Sequence, residues 1–220
     1  MEFFPLKDYL NPKLEKIWSK YYGNENSIAP MFPETVLKNE ILFLSLNPSL
    51  STVIKDIEYG NTQPKPWRFL NSNISYEENK SVPHFKKFFQ IQNEINKNWT
   101  FLDLLYIRKS KQLDIENSYK EEKEFILHQA KLTLEIIEEI KPKLVIVTNS
   151  FADKILHDKN QNILNFNAYL DDKNIYRYNN IPFITRESKF LGSRFWNTNK
   201  YKTHYEKMLS EILRVLEVVD

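Results

Sequence analysis

The residues of this chain that could do chemistry sit where apolar runs stop. Ile41-Leu42-Phe43-Leu44-Ser45-Leu46 breaks off at Asn47-Pro48-Ser49. Asp103 interrupts a second apolar run, Phe101 to Ile107, which ends at Arg108. Leu144-Val145-Ile146-Val147 gives way to Asn149 and Ser150, and Ile181 to Thr185 gives way to Arg186-Glu187-Ser188-Lys189. An Asn amide can orient a water but is no strong general base. A buried carboxyl tends towards a raised pKa, and its acid form donates as well as accepts hydrogen bonds. An arginine supplies a fixed cationic donor.

Other chemistries are absent. With no cysteine there is no disulfide, thiolate zinc site, iron–sulfur cluster or cysteine nucleophile. The three glycines, Gly23, Gly60 and Gly192, make neither G-x-G-x-x-G nor a P-loop after a strand, which argues against the common nucleotide enzymes. His84, His128, His157 and His204 suit exposed or capping roles. Neither a cofactor nor a metal is expected.

These residues need elements to position them. The continuously apolar runs read as strands buried on both faces, as in a parallel sheet. The strands expected are Ile41–Leu46, Trp99–Ile107, Leu144–Val147 and Ile181–Thr185, with Ile175–Tyr178 as a hairpin arm. Leu14, Ile17, Trp18, Tyr21 and Tyr22 have helical spacing, and so have Phe85, Phe88, Phe89 and Ile95 within Pro83–Asn96. Ser118-x-x-Glu121 has the form of a capping box opening a long helix that stops before Pro142. A short helix follows from Phe151, and Tyr201 to Leu216 carries a closing amphipathic stripe. Residues 49–80 read as mostly loop. The expected fold is α/β, three layers α/β/α around a central, mostly parallel four-stranded sheet, in one domain over 1–220. In such a sheet ligands bind at the carboxyl ends of the strands, near the topological switch.

The chain has 220 residues, 41% hydrophobic and 14% aromatic, enough for a real core. No stretch approaches a membrane span and no basic-then-apolar leader opens it, so the expected location is the cytoplasm. A net charge of +2 decides little about partners unless the charge is clustered.

Taken in order, these pieces resemble the uracil-DNA glycosylase superfamily over residues 40–215. Leu44-Ser45-Leu46-Asn47-Pro48-Ser49 is similar to that family's Gly-x-Asn-Pro-Gly and Gly-Gln-Asp-Pro turns. Phe101 to Arg108 looks like its second strand, and Lys141-Pro142-Lys143-Leu144-Val145-Ile146-Val147 with the helix containing Ala152 looks like its third strand and helix. Phe183-Ile184-Thr185-Arg186-Glu187-Ser188 stands where the family carries His-Pro-Ser or His-x-Ser.

The resemblance implies an enzyme that flips a base out of DNA and hydrolyses its N-glycosidic bond, acting as a monomer without metal. Asn47 would orient the water, and Arg186, in the place of the family's histidine, would stabilise charge on the leaving base. Asp103 stands where the family reads uracil with an Asn. A carboxylate accepts from a cytosine N4 amino group, and a carboxylic acid also donates to N3, so Asp103 points to cytosine or a modified cytosine, such as phage DNA carries. That implies a role in phage defence or DNA repair. Ser49 and Asn149 would line the base site, and Trp67 and Phe69, with Tyr59 behind them, would stack on the base. Phe190 and Leu191 would form the apolar wedge, with Ser188, Lys189 and Arg194 against DNA.

Each residue also has a plainer use. Asn47 can cap its turn, Asp103 can pair with Arg108 or a lysine, Arg186 can bind phosphate or solvent, and the aromatics can pack a loop. The missing histidine motivates a second expectation: a catalytically weak or inactive member that binds DNA or a protein.

Overall fold

A computed structural model of the chain describes residues 1–22, 30–48, 70–72, 83–185 and 199–219. Among them are six helices: α1 Leu6–Tyr22, α2 Pro83–Ile95, α3 Gln112–Glu121, α4 Lys123–Ile140, α5 Ser150–Leu156 and α6 Asn199–Val219. The strands are β1 Phe3–Phe4, β2 Met31–Pro33, β3 Val36–Leu37, β4 Ile41–Ser45, β5 Leu70–Ser72, β6 Trp99–Asp103, β7 Leu144–Val147, β8 Tyr169–Leu170, β9 Tyr176–Tyr178 and β10 Ile181–Ile184.

The main sheet has six strands in the order β6-β4-β7-β10-β9-β8. β4 lies parallel to both β6 and β7, and β7 lies parallel to β10. Every residue of β4, β7 and β10 is buried, as their unbroken apolar runs require. The expected four-stranded sheet is too small. The four expected strands form its parallel part, but β9 and β8 add antiparallel strands at one edge. The cause is local. Asn179 and Asn180 adopt φ of 47° and 66°, the conformation of a tight two-residue hairpin, and fold β9 against β10.

Alternation along the strands sends their side chains to two cores. Leu42, Leu44, Leu102, Val145 and Val147 pack with Leu10, Leu14 and Trp18 of α1, Ile126 and Ile137 of α4, and Phe151 of α5. Ile41, Phe43, Phe101, Leu144, Ile146 and Ile184 pack with Phe85, Phe88 and Ile91 of α2, and with Met208, Ile212 and Val215 of α6. Helices thus cover both faces of the sheet.

Two boundaries differ from expectation by more than a residue or two. Ser118 caps nothing: it is buried inside α3, and its carbonyl accepts from the Glu122 amide at 2.7 Å. The helical run breaks at Glu122, whose φ and ψ of −127° and 46° are not helical, and α4 starts after it with no side-chain cap. The second strand stops at Asp103 instead of Ile107. At the other end of α4, Lys141 takes the left-handed conformation of a helix C-cap, its amide donating to the Ile137 carbonyl, and the helix stops before Pro142.

Candidate functional site

From β4 the chain crosses to β6 on one side, then returns to β7 on the other. The carboxyl ends of β4 and β7 therefore flank the topological switch, where open α/β sheets keep their ligands. Thr148 ties the tail of β7 to β4 at this point, with its amide and its hydroxyl both donating to the Leu44 carbonyl at 2.8 and 3.1 Å. Asn47 stands three residues beyond Leu44.

The half-buried Asn47 is firmly tied. Its Nδ2 donates to the carbonyls of Pro48 at 2.8 Å, Lys109 at 3.0 Å and Ile107 at 3.4 Å. The Lys109 amide returns a bond to the Pro48 carbonyl at 3.3 Å. The amide thus fastens the β4 turn to the segment after β6, the capping use expected of an Asn-Pro turn. Both N–H groups being spent in this way, Oδ1 is the part of the side chain left to orient a ligand or a water.

Asp103 is the last residue of β6 and pairs in register with Ser45 of β4. Both follow Phe43 and Phe101 by two residues, so they share the sheet face that carries α2 and α6. Below them lies an aromatic floor. Phe43 stacks on Phe88 with centroids 4.1 Å apart, and Phe85 meets Phe101 edge-on at 5.1 Å. This apolar surrounding pushes the Asp103 carboxyl up to about 8, against the opposing effect of a hydrogen bond from the Ser45 hydroxyl. Asp103 keeps a partial opening to the surface. No ion pair to Arg108 or a lysine holds it among the described residues. Its raised pKa favours the protonated carboxyl, which both donates and accepts.

The other expected residues divide. Asn149 is the N-cap of α5: its side-chain oxygen accepts from the amides of Phe151 at 2.8 Å and Ala152 at 3.1 Å, and its Nδ2 faces Gln112. That oxygen is spent on the helix. Arg108 is fully buried. His157 ends α5, bonded to the Tyr176 hydroxyl at 2.7 Å, and His128 bonds the Glu124 carbonyl within its own helix. Ser49, Tyr59, Trp67, Phe69, Arg186, Ser188, Lys189, Phe190, Leu191 and Arg194 lie outside the described residues.

Three further side chains belong to the site. Ser45 stands opposite Asp103 in register and is the polar group that opposes the upward push on its carboxyl. Gln129 and Thr133, one turn apart on α4, are fully buried and bond the backbone that carries Asp103 and the partners of Asn47. Their signal in the sequence is a polar residue at a core position of an apolar helical stripe.

Among the described residues no group of three His, Cys, Asp or Glu side chains could hold a metal, and no helix is long and apolar enough to cross a membrane. The chain matches no protein-family model, and no curated protein matches it.

Proposed function

We propose that this chain is a monofunctional DNA glycosylase that flips a cytosine or modified cytosine from DNA and hydrolyses its N-glycosidic bond. The observation that carries the reading is the place of Asp103: a carboxyl at the carboxyl end of a strand beside the sheet's switch point, above an aromatic floor that pushes its pKa up, partly open and unpaired with a described cation. Cytosine offers an N4–H donor beside an unprotonated N3 acceptor. A neutral carboxyl matches that edge with its carbonyl oxygen and its O–H. An uncharged carboxyl also avoids placing a negative charge beside a base that leaves as an anion.

In this reading the bond from C1′ to the base breaks, and its electron pair departs with the base. Arg186 meets the charge that develops there. A water oriented by Asn47 Oδ1 adds to C1′ and releases its proton to solvent. The chain acts on DNA as a cytoplasmic monomer, and a modified cytosine as target spares a host whose own cytosine is unmodified.

The test is incubation with duplexes carrying uracil, cytosine, 5-hydroxymethylcytosine or its glucosylated form, followed by cleavage at abasic sites. Nicking of a cytosine-type duplex is expected. Release of uracil alone would overturn the base assignment, and no nicking on any duplex would overturn the enzyme.

One observation favours a second reading, a DNA-binding module without chemistry: the Asn47 amide is used to fasten its own turn. It predicts salt-dependent binding without product, weakened on removing Lys189 or Arg194.

A further inference from the structure

The chain beyond β6 has no strand to hold it, yet its backbone groups are bonded almost one by one. On one side are groups of the β4 tail. Leu104 and Leu105 amides donate to the carbonyls of Ser45 and Leu46 at 3.0 and 2.9 Å, and the carbonyls of Ile107 and Lys109 accept from Asn47 Nδ2. On the other side are two side chains of α4. A single oxygen, Gln129 Oε1, accepts from both the Tyr106 and Ile107 amides at 2.9 Å, while Gln129 Nε2 donates to the Phe125 carbonyl at 3.3 Å. The Thr133 hydroxyl oxygen lies 3.0 Å from the Leu104 carbonyl oxygen and 2.8 Å from the Tyr106 hydroxyl. Both side chains are fully buried, so water cannot replace them.

Resting on the glycosylase reading, we propose that Gln129, supported by Thr133, is a positioning residue that sets the Asn47 side chain for the attacking water. The route is short. Gln129 fixes the amide of Ile107, the carbonyl of the same residue accepts from Asn47 Nδ2, and the Asn47 amide is planar, so fixing Nδ2 fixes Oδ1. Without the Gln129 acceptor, two buried N–H groups lose their partner and the segment must move to find another. A displacement near 1 Å at a positioned group is enough to cost about a hundredfold in rate.

The experiment compares Gln129→Leu, Gln129→Glu and Thr100→Val with wild type. Thr100 is an equally buried residue of β6 whose hydroxyl accepts from the Leu37 amide, so its loss is the control for destabilisation of the same strand. Base release is measured as kcat and KM, alongside hydrogen exchange at the Ile107 amide and the Asn47 side-chain amide. Gln129→Leu is expected to lower kcat about a hundredfold with KM little changed, and to speed exchange at both amides. Gln129→Glu, whose protonated form copies the glutamine's bonds, should recover activity at acid pH and lose it as the pH rises. Thr100→Val should keep wild-type kcat. Unchanged Asn47 exchange in Gln129→Leu, or an equal loss of kcat in Thr100→Val, would overturn the proposal. If wild type releases no base from any duplex, the glycosylase reading fails, and the exchange arm still decides whether Gln129 holds Asn47.

Discussion

Asp103 is held in the form its surroundings can tolerate. An ionised carboxyl above the aromatic floor of Phe43, Phe88 and Phe101 would have only the Ser45 hydroxyl among the described residues to meet its charge, so the proton stays on up to about pH 8. If the neutral form reads the base, release from a cytosine-type duplex should fall as pH rises through about 8, measured as kcat/KM from pH 6 to 9. Asp103→Asn should shift preference towards uracil and remove that alkaline limb, because an amide does not ionise. Under the proposed function Asn47 carries two duties in one side chain, the turn clamp that its amide makes and the orientation of the water. Asn47→Ala should abolish base release and also cost about 2 kcal/mol in urea unfolding, since the carbonyls of Ile107 and Lys109 lose a donor. Loss of activity with no loss of stability would show that the turn clamp contributes nothing.

At the scale of elements, helix ends set the edges of the site. Asn149 starts α5 at the carboxyl end of β7 by accepting two amide protons. Asn149→Ala should therefore destabilise the chain by about 1 kcal/mol, read from the urea midpoint. A base-binding role for Asn149 predicts instead a raised KM with stability intact. α4 ends on Lys141 at φ 46°, a conformation in which a side chain is a burden. Lys141→Gly should add about 1 kcal/mol without changing activity, because the position lies at the end of the sheet opposite the site. The element that holds the site most directly is α4. Its apolar stripe anchors it to the sheet, and Gln129 and Thr133 within that stripe grip the tail of β6.

For the whole molecule, two carboxyls pull the pH dependence of folding in opposite directions. Asp158 bonds Lys123 and the Tyr119 hydroxyl, which hold it down at about 2, so its stabilisation is present above the ordinary carboxylate value and fades as pH falls towards 2. Asp103 works the other way. Between its ordinary value of 3.8 and about 8 the unfolded chain has released a proton that the folded chain keeps. The folded state binds more protons across that window, so Asp103 makes stability decline as pH rises through it. Urea midpoints from pH 4 to 9 should show this decline in wild type, and Asp103→Asn should flatten it. An unchanged slope would mean that Asp103 is ionised in the native protein and that no neutral carboxyl is present to read cytosine.

The sequence by itself determined the four parallel strands and where a candidate site would fall. An unbroken run such as Ile41 to Leu46 can only be buried on both faces, and the polar residues after such runs must collect at the carboxyl edge of the sheet. Asn47 and Asp103 were legible for that reason. Tertiary structure alone decided the rest. That Ser45 faces Asp103, that Asn47 binds carbonyls sixty residues away in sequence, and that Gln129 serves two amides of another element are consequences of register and packing. The hairpin arm expected at Ile175–Tyr178 is β9, and the strand count fell short because that arm joins the sheet and carries β8, a two-residue exposed edge strand with no apolar run to announce it. The false capping box at Ser118 failed for a related reason: local spacing offers a cap, but burial of that face of α3 took the serine into the core instead.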